Sequence, residues 1–175
     1  MGVSLHAAFV PSCIQILGSI ARLIDKAALA GYERGAGQSS LLGARLADDM
    51  LDFRYQVKSV VMHSADAIEA VRQGRFTPDV DPIEASVAEL RAMVRQAEAA
   101  LAAIDPAEME AFVDRDMIFV WNGRDVSFSA DQFLLSFSQP NFYFHAAAAY
   151  AILRAEGLPL AKRDYLGTLR IRRDA

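Results

Sequence analysis

Asn141 and His145 stand four residues apart in an otherwise apolar stretch, with Ser138 three residues before them. On a helix this spacing turns all three side chains to one face, about one turn from each other. A hydroxyl, a carboxamide and an imidazole so placed can line a small polar pocket, or offer donor atoms to a ligand or an ion. The same three residues also fit a plainer description, polar core side chains bonded to neighbours or water. Upstream, Asp49, Asp52, Gln56, Ser59 and His63 again fall at steps of three and four. Carboxylates and a histidine on one helix can supply metal ligands or a general base. The alternative for that stripe is the wet side of an amphipathic helix. Cys13 lies in an apolar stretch without a basic neighbour to lower its pKa, which reads as a buried thiol. His6 stands apart near the terminus.

Four long helical patterns would position these groups. Ile14, Leu17, Ala21, Ile24 and Ala28 mark a first helix from Pro11 to about Tyr32, with an earlier start and a kink at Pro11 as the alternative. Gly31–Ser40 reads as a turn. A second pattern runs from about Leu42 to Gln73, through Leu46, Met50, Phe53, Val57, Val60, Ile68 and Val71, and stops at Gly74. Phe76–Pro82 reads as a polar linker, after which Asp81 offers an N-cap and Pro82 a first helical residue. Ile83, Val87, Leu90, Val94, Ala97, Leu101 and Ile104 then form the third helix, with Glu84, Glu89, Arg91, Arg95 and Glu98 on its solvated faces.

Between Met117 and Ser129 the period changes to that of strands. Met117–Trp121 and Asp125–Ser129 flank Asn122-Gly123, which tolerates the positive φ angles of a type I′ turn and predicts a hairpin. Both faces of its first strand are apolar, so one face needs a cover, such as a second subunit. Ser129 is expected to cap a fourth helix carrying Phe133, Leu134, Phe137, Phe144, Ala148 and Ile152 and ending at Gly157. Pro140 lies inside it, removes one backbone donor and frees the Ser136 carbonyl, so a bend is expected there. The tail Leu158–Ala175 reads as a docked loop with a solvated basic end at Arg170, Arg172 and Arg173.

Length and composition bound the answer. The 175 residues, 53% hydrophobic and 23% charged, suit one globular domain over 1–175. A net charge of −4 argues against a nucleic-acid groove, and one cysteine excludes an intrachain disulfide framework. No run of about 18 uninterrupted apolar residues predicts a membrane span, and no leader is recognisable, so a cytoplasmic location is expected. Phosphate-cradling Gly-rich loops, GxSxG, HExxH and EF-hand patterns are absent from the sequence. Amphipathic helices must cover one another's apolar stripes, which predicts an all-α four-helix bundle with the hairpin between helices three and four.

Several segments carry a family resemblance: Leu46-Ala-Asp-Asp-Met50, Gln56-Val57, Asn122-Gly-Arg, Gln139-Pro-Asn-Phe-Tyr-Phe-His145, Tyr150-Ala-Ile-Leu-Arg154 and Gly157-Leu-Pro-Leu-Ala-Lys-Arg-Asp-Tyr-Leu-Gly167. The chain resembles a bacterial domain-of-unknown-function family grouped with the DinB/YfiT-like metalloenzyme superfamily. The resemblance implies an up-down-down-up bundle and no particular reaction. In the wider superfamily three histidines hold a divalent metal, often nickel or zinc, one from helix two and two from an HxxxH on helix four. Carried onto this chain, the HxxxH falls on Asn141–His145, so the second His is kept and the first is Asn. Asp49, Asp52, Gln56 and His63 are the helix-two candidates, and antiparallel helices favour Gln56 opposite His145.

Two readings of function follow, with a third beside them. The first is a bundle whose pocket (Gln56, Ser138, Asn141, His145) holds a small polar ligand over a degenerate metal site. The second is a thiol-transferase or hydrolase type of enzyme, as found elsewhere in that superfamily, in which His145, with Asp49, Asp52 or His63 and with Asn141 as a further candidate ligand, holds nickel, zinc or manganese. The third is a homodimer without small-molecule activity, closed through the hairpin.

Overall fold

Ser4 accepts the amide of Ala7 and starts α1 (Leu5–Glu33) well before Pro11, which lies inside the helix. The computed structural model describes residues 2–172, so Arg173 lies outside the described residues. The chain continues through α2 (Phe53–Met62), α3 (Ala65–Gln73), β1 (Arg75–Phe76), α4 (Val87–Ala102) and α5 (Pro106–Glu110). Strands β2 (Asp116–Trp121) and β3 (Arg124–Ser129) follow, then α6 (Ala130–Gln132), a π-helical turn (Phe133–Ser138), α7 (Gln139–Ala155) and α8 (Lys162–Leu166). The protein is therefore mostly helical with one small sheet.

Several boundaries depart from the sequence expectation. The second helix does not start at Leu42; residues 41–50 form turns, and Asp52 begins α2 by accepting the amide of Tyr55. It also breaks at His63–Ser64, where the Ser64 hydroxyl turns back on the Val60 carbonyl at 2.7 Å and satisfies a group freed by the helix end. The third helix starts at Ser86, not Asp81, because Ser86 and Glu89 close a reciprocal capping box. Ser129 holds the N-cap position ahead of α6, but its side chain accepts no helix amide.

Asn122 and Gly123 both have positive φ, 49° and 73°, and turn β2 back onto β3 from Asp116↔Ser129 to Trp121↔Arg124. Phe76, expected in a linker, is part of β1, which lies parallel to β2 with Arg75 opposite Ile118 and Phe76 opposite Phe119. On the inner face Phe119 is buried and its ring lies 4.5 Å from Phe137. A charge at Phe119 would thus disrupt packing rather than report on association. Val120 and Ile118 on the other face are half-buried, while Trp121 is exposed.

The core lies between α1, α2, α4 and α7, with α1 packed on α4 and α7, and α2 on α7 and α4. Alpha1 is long and apolar enough by composition to cross a membrane, yet Phe9, Cys13, Leu17, Ile20, Leu23 and Ile24 on it are fully buried in this core. Near its end Gly31 lies against the backbone of Gly37 and the side chain of Ser40, with no room for a Cβ. A Gly31→Ala variant is expected to lose about 1–3 kcal/mol by overpacking, read as a shift of the urea midpoint; an unchanged midpoint would show that this loop yields.

Candidate functional site

The stripe on α2 faces inward. Asp52, Gln56, Ser59 and His63 are all at most 8% exposed, so the wet-side reading fails for them. Asp49 is the exception, exposed in the turn before the helix. The reason is the partner: α2 lies against α7, whose own inward residues include His145. Asp52 is consumed by structure, since one carboxylate oxygen caps α2 and the other takes Arg54 at 2.7 Å.

Gln56 and His145 meet across the two helices. His145 Nδ1 lies 2.7 Å from the Gln56 carboxamide oxygen, while the Gln56 amide nitrogen donates to the Leu51 carbonyl at 2.9 Å. The second bond fixes which end of the amide faces the ring. An oxygen only accepts, so Nδ1 carries the proton and Nε2 keeps its lone pair. His63 stacks on His145 with ring centroids 5.8 Å apart and planes within 6°. Phe76 and Phe137 pack on His63 at 5.7 and 5.6 Å, and the Tyr55 ring meets His145 at 6.0 Å.

Among the described residues no carboxylate offsets either imidazole. Burial pushes His145 down to about 4, and burial with the neighbouring His145 pushes His63 down to about 3. Both are neutral at pH 7. Among the described residues the Ser59 hydroxyl and His63 Nδ1 on the same α2 stripe, and the Ser138 hydroxyl at the end of the π-helical turn, are buried without a hydrogen-bond partner. Such groups carry a desolvation penalty unless something polar reaches them.

Asn141 does not join this group. Its amide donates to the Phe137 carbonyl at 2.8 Å, within its own helix. That carbonyl belongs to the π-helical turn, which ends at Ser138, just ahead of Pro140, where the sequence predicts a bend. Phe144, expected to face the core, is 61% exposed; Ala148 and Ile152 are buried as expected, together with Phe142, Ala146, Ala149 and Leu153. The aromatic neighbours Tyr55, Phe76 and Phe137 were absent from the candidate site. Tyr55 follows no polar stripe, and Phe76 reaches His63 only through a non-local strand pairing.

The donor set does not fit a metal. An ion sits in the plane of each imidazole that binds it, and the near-parallel His63 and His145 planes do not converge on one point. Asp52 is engaged elsewhere, and among the described residues no three His, Cys, Asp or Glu side chains cluster to hold an ion.

Comparison with known proteins bears on the fold. A family model described as "Domain of unknown function (DUF1993)" matches residues 5–166. The crystal structure of a DinB family member protein from Shewanella denitrificans is 24% identical, covers 97% of this chain and 96% of that chain, and superposes with a TM-score of 0.81. No curated protein matches the sequence.

Proposed function

The chain belongs to the DUF1993 family and has a DinB-like fold, and from that premise we propose that it binds a small, uncharged polar ligand between its helices without a resident metal. The packing of α1 on α4 and α7, and of α2 on α7 and α4, supports an up-down-down-up four-helix arrangement, with α3 and the sheet appended to it. One observation carries the functional reading: Gln56, itself anchored on Leu51, holds His145 in a single neutral tautomer with the Nε2 lone pair left over.

Metal-ligating histidines also donate their second nitrogen to a carbonyl, so the Gln56–His145 pair alone suits either a metal or an organic ligand. The other groups favour the organic ligand. With the stacked neutral imidazole of His63, and the unpartnered hydroxyls of Ser59 and Ser138 assigned to the same site in this reading, the site would bind hydroxyl, amide or carbonyl groups well and a divalent ion poorly. Among the described residues no charged side chain shifts the pair, so an ionic ligand would lose its hydration without compensation.

Purified protein is expected to contain no stoichiometric nickel, zinc or manganese by elemental analysis. Long-range proton–nitrogen spectra at pH 7 are expected to place the His145 proton on Nδ1. Stoichiometric metal that disappears in His145→Ala, or a proton on Nε2, would overturn the reading.

A further inference from the structure

Two adjoining clefts flank α2 and α3, and neither has His145 in its wall. The larger, about 510 Å³, has Met62, Ala70 and Phe76 as its apolar walls. The smaller, about 480 Å³, is walled by Val61, Met93 and Ala97. They share Lys58, Asp66 and Asp79.

The charges around them are closed on one another, with one exception. Lys58 pairs with Asp79 at 2.7 Å and donates to the Asp81 carbonyl at 2.9 Å. Arg75 pairs with Asp125 at 2.9 Å, and Glu69 with Arg72 at 3.1 Å. Asp66, in the first turn of α3 and common to both clefts, has no hydrogen-bond or ion-pair partner among the described residues. It is open to water at the mouth, while the surrounding protein raises its carboxyl above the ordinary range.

We propose that the larger cleft binds an organic monocation, a primary ammonium on an apolar body, with Asp66 as counter-ion and Met62, Ala70 and Phe76 receiving the body. An uncompensated carboxylate beside apolar walls is complementary to such a molecule and repels an anion, since Lys58 is already neutralised by Asp79. A bare divalent ion would need several oxygen ligands, and one free carboxylate does not supply them. A quaternary ammonium prefers a cage of aromatic faces, whereas Phe76 is the single aromatic ring in this wall. This inference is independent of the His145 site.

The test titrates the full chain with benzylammonium and, in parallel, with benzyl alcohol, followed by amide chemical shifts. Saturable shifts around Asp66, Met62 and Phe76 are expected at millimolar benzylammonium, with benzyl alcohol and the isosteric Asp66→Asn variant each weaker by roughly tenfold. In the wild type the Asp66 carboxyl, followed by carbon chemical shift, is expected to titrate lower when the amine is bound, a readout that does not depend on the variant folding. No saturable binding, equal binding of the alcohol, undiminished binding by Asp66→Asn, or an unmoved Asp66 titration would each overturn the proposal.

Discussion

Lowering the pH from 7 to about 4.5 is expected to remove on the order of 5 kcal/mol of stability, most of it through His63 and His145. An unfolded chain protonates a histidine near 6.5, whereas the folded protein resists until about 4 at His145 and about 3 at His63. Between those limits the unfolded state binds more protons, so stability falls as pH falls, by about 1.4 kcal/mol per unit for each fully titrating imidazole. Paired carboxylates such as Asp79 and Asp164, held below their ordinary range, act only at lower pH. Asp66 and Glu98, held above it, act weakly in the opposite direction. Since small domains have about 5–15 kcal/mol in total, the fold should be marginal near pH 4.5. Urea denaturation at pH 7 and pH 4.5 measures the loss. His63→Phe, which keeps an aromatic ring between Phe76 and Phe137 and deletes the unpartnered Nδ1, is expected to remove about half of the dependence. An unchanged slope in that variant would mean that His63 is not the neutral, buried group described above.

The parts of the fold that could be read from the sequence are those set by neighbouring residues. Asn122-Gly123 specifies its turn because two consecutive residues must accept positive φ, a local steric demand. Pro140 located an irregularity for a similar reason, a missing donor, although the form it takes, a π-helical turn before the proline, depends on packing. Boundaries failed where two local signals competed. Asp81-Pro82 and Ser86-x-x-Glu89 are both good helix starts, and the second prevails because its capping box satisfies two backbone amides reciprocally. Leu42 and Leu46 continue a helical period on paper, but Leu42 is buried from a turn and Leu46 is 44% exposed.

The candidate site shows the same division. Period alone placed Gln56, Ser59 and His63 on one stripe, but period cannot say whether a polar stripe meets water or another polar stripe. That depends on α7, about 90 residues away in the chain, and on an orientation that no local rule fixes. The strand β1 is a sharper case. Two residues have no periodicity to detect, yet their pairing with β2 brings Phe76 over His63 and so helps to strip water from the imidazole.

Replacing Gln56 by Glu should reverse the protonation of His145. The substitution keeps side-chain length, so a carboxylate oxygen stands where the carboxamide oxygen now lies 2.7 Å from Nδ1. An opposite charge at that distance in a partly buried site favours the imidazolium, whereas the wild type has only burial acting, in the other direction. His145 is therefore expected to titrate above its ordinary value rather than at about 4. The sign of its linkage changes with it. A histidine raised in the folded state contributes stability that is complete below the unfolded pKa and is lost as pH rises through the folded one. The His145 part of the acid loss should disappear, while His63, stacked 5.8 Å from a new cation, stays neutral and keeps its own. At pH 7 the variant still loses about 1–3 kcal/mol, because the Leu51 carbonyl loses its donor and faces an oxygen. Imidazole proton shifts followed against pH read the change directly, and Gln56→Leu, which removes the acceptor without adding charge, separates charge from lost hydrogen bonding. A Gln56→Glu protein in which His145 still titrates near 4 would break the argument, since the amide oxygen would then not be what faces Nδ1. With the imidazolium formed, Nε2 turns from acceptor to donor, so the proposed ligand, held through that lone pair, is expected to bind the variant more weakly.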